Sequence, residues 1–174
     1  MSSENHHATA LGHLRVLDLA TAQIGYFGKI FADLGADVIK VESPQGDPSR
    51  QMAPFAGDLS DPERSLYFLN FNANKRSVAL DLETDAGRAS LSQLASGADV
   101  LVESYTPGYL DSLGVGYDAL KQSNPALVFA SITPFVQTGP YAEFQGSELV
   151  TQAMGGLLYV QGDDNKPPCY APCD

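Results

Sequence analysis

A chain of 174 residues is the size of one ordinary domain, and with 44% hydrophobic and 18% charged residues it can bury a core and does not read as disordered. Its 21 acidic against 10 basic side chains give a formal net charge of −11, which argues against the basic footprint that non-specific nucleic-acid binding needs. No basic segment followed by an apolar run opens the sequence, and no apolar run is long enough to cross a bilayer, so the expectation is a cytoplasmic protein with neither nucleic-acid nor membrane partners.

Residues 1–12 read as a flexible polar tail and 13–174 as the folded part; His6, His7 and His13 sit in or beside the tail and fit it better than a metal site. Residues 14–19, LRVLDL, alternate apolar and polar and predict a strand. Ile24, Phe27, Ile30, Phe31 and Leu34 then recur at helical spacing, with Gly35 at the helix end, and ADVIKVE (36–42) predicts a second strand. A short strand–helix–strand unit of this kind implies a parallel pair. Pro44, Gly46 and Pro48 break the pattern and open a long polar loop over 43–64. Residues 66–71 and 77–82 predict strands on either side of an Asn/Lys/Arg segment. Thr84 or Asp85 caps a helix through Ser96, with Leu91 and Leu94 facing inward and Gly97 ending it. Residues 98–103 predict a strand, SYTPGYLDSLG a loop entering a short helix, 117–122 a second short helix, and 126–132 a buried strand. After a Gly/Pro loop, Ser147 caps a helix through Met154 with Glu148 at its positive end. Strands alternating with helices predict an α/β fold: a Rossmann-like open, mostly parallel sheet with flanking helices.

In such sheets ligands bind beyond the carboxyl ends of the strands. Three loops leave strand ends there with polar groups: ATAQIGYFG, VESYTPG and SITPFVQTGPY. The first holds Gln23 ahead of a helix N-terminus but carries only G-x-x-G, Gly25 and Gly28, so no dinucleotide fingerprint is met. Those glycines serve tight packing or ligand approach equally well. Asp81 at a strand end can bond the next turn or accept from a ribose or an amine. Lys75 and Arg76 are better explained by pairing with carboxylates across the sheet than by a ligand phosphate. Cys169 and Cys173, a lone Cys-x3-Cys, read as two reduced thiols. No Ser-His-Asp arrangement and no metal-ligand cluster is visible in the sequence.

LRVLDLATAQIGYFGKIFADLGADVIKVESPQGDPSR resembles the opening of class III coenzyme A transferases, the formyl-CoA transferase, carnitine CoA-transferase and CaiB-BaiF type. NANKRSVALDLETDAGRASL, ADVLVESYTPGYLDSLGVGYDALKQSNPALVFASITPFVQTGPY and ELVTQAMGGLL resemble the blocks that follow, in the same order, so the resemblance runs from about residue 13 to the end. It implies the N-terminal part of the family's large CoA-binding domain, because relatives are more than twice as long and form intertwined homodimers. Coenzyme A, as acyl-CoA, is then the implied substrate, a small carboxylic acid the acceptor, and no metal is implied. Gln23 and Ile24 match the loop that meets CoA near the reacting acyl group. Leu80 and Asp81 match the segment lining its adenosine part, and Ser104, Tyr105 and Thr106 the next CoA-lining loop. Glu148 matches an acidic position close to the active site. Ser43 and Ser112 stand where some relatives have Arg to meet phosphate.

The family nucleophile is an Asp shortly after a Pro-Pro pair. Pro167-Pro168 is followed here by CYAPCD, so Asp174 takes the role if the loop is shortened; ungapped spacing puts the nucleophile about three residues further on. The implied chemistry is attack of that carboxylate on the thioester, a mixed anhydride, an aspartyl-CoA thioester, and transfer of CoA to the acceptor acid, with Gln23 and Glu148 as further catalytic candidates and Gln23 and backbone N–H groups stabilising the developing oxyanions. Two other readings stand beside it: a truncated or non-catalytic CoA-binding module, and an acyl-CoA racemase. Racemase relatives carry Gly-His-Asp where this chain has Gly146-Ser147-Glu148, and the missing His argues against that chemistry.

Overall fold

The computed structural model of the protein describes residues 9–163 and 165–168. Five strands, β1 (Arg15–Leu19), β2 (Asp37–Glu42), β3 (Arg76–Ala79), β4 (Val100–Glu103) and β5 (Val128–Ser131), form one sheet in the order β3-β2-β1-β4-β5. Every pairing is parallel. The chain builds outward from β1 through β2 to β3, then returns to the other side of β1 for β4 and β5. Between β1 and β4 the direction of winding therefore reverses, and a reversal of this kind opens a crevice beyond the carboxyl ends of the strands. The α-helices are α1 (Gly25–Asp33), α2 (Leu66–Asn72), α3 (Asp85–Ala95), α4 (Tyr109–Ser112), α5 (Tyr117–Ser123) and α6 (Glu148–Met154). Two compact units divide between Ile132 and Thr133: the first contains the sheet and α1–α5, the second α6 and an aromatic cluster of Phe135, Tyr141 and Phe144.

Successive residues of a strand face opposite sides, and apolar residues of the central strands enter a cluster on each side. Val16, Val38 and Val100 join Ala32 and Ala36 in one cluster, with Leu11, Leu14 and Phe31 packed against it. Leu17 and Leu101 enter the larger cluster on the other face, with Leu91, Leu110, Leu120 and Leu127. Gly35 lets α1 stop and β2 start almost at once: its φ of +96° is one that a side chain resists, and its N–H donates to Ala32 O at 3.0 Å.

The structure corrects the sequence reading in two places. Residues 66–71, predicted as a strand, form α2. Ser65 decides this: its buried hydroxyl accepts from the N–H of Phe68 at 3.1 Å and caps the helix. Tyr67 and Phe71, four apart, then meet ring to ring with centroids 4.7 Å apart. β5, predicted as buried, lies at the sheet edge, where Val128 is 59% exposed. The 43–64 segment is polar as expected but firmly held. It contains 3-10 turns at Pro48–Gln51 and Ala56–Asp58, and Asp47 and Ser49 within it are buried.

Candidate functional site

The Asn/Lys/Arg segment divides at the entrance to β3. Arg76 stays at the surface and pairs with Asp37 of the neighbouring strand, which Arg15 also reaches at 3.0 Å. Lys75 turns inward until its side chain is 1% exposed. Its ammonium donates to Asp18 Oδ2 at 2.6 Å, to Gly25 O at 2.6 Å and to Asn72 Oδ1 at 2.8 Å. The expected pairing with carboxylates thus holds for both cations, one in water and one in the core. Asn74 turns the chain in the left-handed region, at φ +64°, and donates to Asp33 Oδ1 at 2.8 Å. Gly28 is now explained: a Cβ there would lie 2.3 Å from Asp18 Oδ2, so the glycine makes room for the buried pair.

A second buried pair lies alongside. Lys40 of β2 reaches Asp47 Oδ2 at 2.8 Å, with both side chains 2% exposed, and it also donates to Ala20 O. Next to it, Glu42 ends β2 in a two-pronged bond with Arg50, at 2.6 and 2.9 Å. The Arg50 guanidinium lies 3.8 Å above the Phe68 ring. Burial pushes the Glu42 carboxyl up, but Arg50, Ser77 and the Asp47 N–H outweigh it and hold it down at about 2. Burial likewise pulls the Lys75 ammonium down, against the opposing pull of Asp18.

Beyond the carboxyl ends of β2, β3 and β4 lies a cavity of about 190 Å³. Ser43 to Gln45 after β2, Leu80 to Glu83 after β3, and Tyr105 and Tyr109 after β4 line it. The Tyr105 and Tyr109 rings meet with centroids 4.9 Å apart. Burial, with Tyr109 and Glu103 nearby, pushes the Tyr105 phenol up to about 12, so it stays a neutral donor. Tyr109 OH donates to Glu83 Oε1 at 2.7 Å. The lining carries Glu42, Asp81 and Glu83 and no Lys or Arg. Its wall therefore offers hydrogen-bond acceptors and apolar surface, with no cationic side chain among the lining residues.

Of the residues singled out from sequence, Leu80, Asp81 and Tyr105 line this cavity together. Asp81 also accepts from the N–H of Glu83 at 3.1 Å, the local turn bond expected of it. Ser104 accepts from the N–H of Thr21 at 3.0 Å and so ties the loop after β4 to the loop after β1. Thr106 accepts from the N–H of Tyr109 through its carbonyl at 3.1 Å. Gln23 and Ile24 form a 3-10 turn with Ala22 directly ahead of α1. Ser43 donates to Gly46 O and Ser112 to Tyr109 O, at 3.0 and 2.7 Å. Glu148 opens α6 in the second unit, where Ser147 caps the helix and Gln152 donates to Glu148 Oε1 at 3.0 Å. Asp174 lies outside the described residues, as do Cys169 and Cys173. Among the described residues no group of three His, Cys, Asp or Glu is placed to hold a metal, and no helix is long and apolar enough to cross a membrane. Sequence reasoning missed Tyr109, Glu83, Asp18 and Lys40. The Tyr105/Tyr109 spacing of four was the one local signal for any of them.

The sheet is parallel with a reversal point, and the cleft is built from the loops beyond the carboxyl ends of its strands. The chain belongs to CoA-transferase family III, whose sequence profile matches residues 11–173. It is 49% identical over 159 residues to the succinyl-CoA:(R)-benzylsuccinate CoA-transferase subunit BbsE of Thauera aromatica, covering 91% of this chain and 38% of that protein. It is 42% identical over 162 residues to a formyl-CoA:oxalate CoA-transferase of Streptomyces coelicolor, covering 92% and 38%. A crystal structure of a CAIB/BAIF family protein from Brucella suis superposes with a TM-score of 0.86 at 39% identity, over 94% of this chain and 44% of that one. The chain therefore spans about 38% of the length of the curated relatives it matches.

Proposed function

We propose that this chain provides the coenzyme A-binding part of an enzyme that moves CoA between an acyl-CoA thioester and a small carboxylic acid. The observation that carries the reading is the cleft beyond β2, β3 and β4. Leu80, Asp81 and Tyr105, which the family resemblance assigns to CoA, line it together. Its acceptor-rich, cation-free wall suits the adenosine end, with Asp81 receiving a ribose hydroxyl or the adenine amine and the tyrosine pair flanking the ring. The phosphates then leave the cleft toward other donors, consistent with Ser43 and Ser112 standing in place of arginines. The pantetheine arm runs toward the turn holding Gln23 and Ile24.

The chemistry that fits is covalent. A carboxylate, Asp174 or one shortly beyond it, attacks the thioester carbonyl, and CoA thiolate leaves as a mixed anhydride forms. The thiolate attacks the enzyme's side of the anhydride, releasing the donor acid and leaving an aspartyl-CoA thioester. The acceptor acid repeats the two steps in reverse and leaves as its CoA thioester. Binding energy from the long CoA handle positions the thioester, and Gln23 together with backbone N–H groups of the 21–25 loop stabilises the developing oxyanion. Glu148 is the acidic group assigned beside the reacting centre, and the full-length enzyme works as an intertwined homodimer in the cytoplasm. A racemase has no support at residues 146–148, where the Ser147 hydroxyl is used in capping α6.

The test is calorimetric titration of CoA, and separately of pantetheine and adenosine 3′,5′-bisphosphate, into the folded 174-residue chain. Saturable binding of CoA and the bisphosphate, weakened at least tenfold by Asp81→Leu, is the expected result. Binding unaffected by Asp81→Leu would remove this cleft from the CoA site. A folded chain that binds neither would overturn the claim that these loops form the site by themselves.

A further inference from the structure

The turn between β1 and α1 is held in an unusual way. Ala22 within it lies in the left-handed region at φ +49°, a conformation that a residue with a Cβ adopts only when its surroundings impose it. Two buried ammonium ions bond the backbone on either side of it. Lys40 donates to Ala20 O at the start of the turn and Lys75 to Gly25 O at its end, the latter at 2.6 Å. Each has its own carboxylate, Asp47 at 2.8 Å and Asp18 at 2.6 Å, so neither backbone bond is needed to neutralise a charge. Between the two anchors, the Thr21 N–H donates to Ser104 Oγ at 3.0 Å, and Asp18 Oδ1 accepts from the Ala20 N–H at 3.0 Å. The lysines come from β2 and from the entrance to β3, far along the chain from the turn, and their side chains are 2% and 1% exposed.

We infer that Lys40 and Lys75 are positioning residues: an ammonium clamp on the two ends of the 20–25 turn that fixes its N–H groups in the orientation the CoA thioester requires. The inference rests on the CoA reading of this loop, but the clamp itself is a property of the free protein. A carbonyl bonded to a buried cation is held more strongly than one bonded to a neutral donor. The turn is therefore rigid before ligand arrives, and no binding energy is spent on ordering it.

The experiment compares Lys75→Met, Asp18→Asn and the double variant carrying both. All three disrupt the ion pair. Asp18→Asn leaves Lys75 able to donate to Gly25 O, and the double variant removes the tie without stranding a buried charge. The readout is native-state amide hydrogen exchange at residues 21–25 against β1, together with the Kd for CoA. Lys75→Met and the double variant are expected to speed exchange in the turn about ten- to a hundredfold beyond any change in β1, and to weaken CoA by a similar factor. Asp18→Asn is expected to change turn and strand equally. Equal acceleration of turn and strand in the double variant would reduce Lys75 to a fold-stabilising residue and overturn the clamp. So would a turn loosened as much by Asp18→Asn as by Lys75→Met. If the wild-type chain fails to bind CoA, the CoA reading of the loop falls, while the exchange comparison still decides the clamp.

Discussion

Gly25 and Gly28 look alike in the sequence and differ in what surrounds them. At Gly28 an added methyl would sit 2.3 Å from Asp18 Oδ2 and 3.2 Å from Lys75 Nζ, both fixed inside a buried ion pair. At Gly25 the nearest atoms, Asn72 Oδ1 and Lys75 Nζ, would be 3.4 and 3.6 Å away, an ordinary contact. Gly28→Ala is therefore expected to lower stability by about 1–3 kcal/mol through overpacking, despite the better helix propensity of Ala. Gly25→Ala is expected to be neutral or slightly stabilising. Urea unfolding of the two variants checks this, and equal losses would mean that the ion pair shifts freely. The same contrast separates the adjacent cations. Arg76 and Asp37 are an exposed pair worth less than about 1 kcal/mol, whereas Lys75 pairs with a carboxylate that water does not reach.

At the scale of elements, the excursion from β2 to α2 is fastened by carboxylates. Glu42 binds Arg50 through both oxygens, accepts from Ser77 at 2.5 Å and accepts from the Asp47 N–H at 2.8 Å. Its folded-state pKa of about 2 lies below the ordinary 4.5. A carboxyl depressed in this direction contributes stability above pH 4.5 that is lost as pH falls through about 2. The depression corresponds to roughly 3 kcal/mol. Wild-type stability is expected to drop across that window, and Glu42→Gln to be less stable at pH 7 with the gap closing toward pH 2. Chemical denaturation at four pH values measures it; a gap independent of pH would show that the contribution is packing and not charge.

For the molecule as a whole, part of the exposed surface is apolar. Tyr26 and Ile30 of α1 and Leu34 at its C-cap, four residues apart, are 52%, 44% and 44% exposed, and Leu66 and Leu69 of α2 are 44% and 48% exposed. β5 has no strand on its outer side among the described residues. Exposed apolar stripes and open edges associate. The isolated 174-residue chain is expected to sediment as dimers or larger species at high concentration, and Ile30→Lys with Leu34→Lys to shift it toward monomer. A chain that stays monomeric at every concentration would contradict this.

Much of the fold was legible in the sequence because its signals are local. Period-two apolar runs marked the strands, Thr84 and Ser147 marked helix starts, and Gly35 marked a helix end. Alternation of strand and helix then implied a parallel sheet. The order of family-like blocks pointed to CoA chemistry, and the Leu80, Asp81 and Tyr105 positions do share one cleft. What only the tertiary structure decided depends on partners distant in sequence. Residues 66–71 are apolar enough for either state, and Ser65, buried against the carbonyls of Ser49 and Met52, turned them into a helix. Val128 reads as core until the strand order puts it at an edge. Asp18 and Lys40 read as the polar half of an alternation, yet they are buried because Lys75 and Asp47 come from elsewhere in the chain to pair with them. Burying a charge is costly unless a counter-charge lies beside it, and no local pattern records which residue that will be.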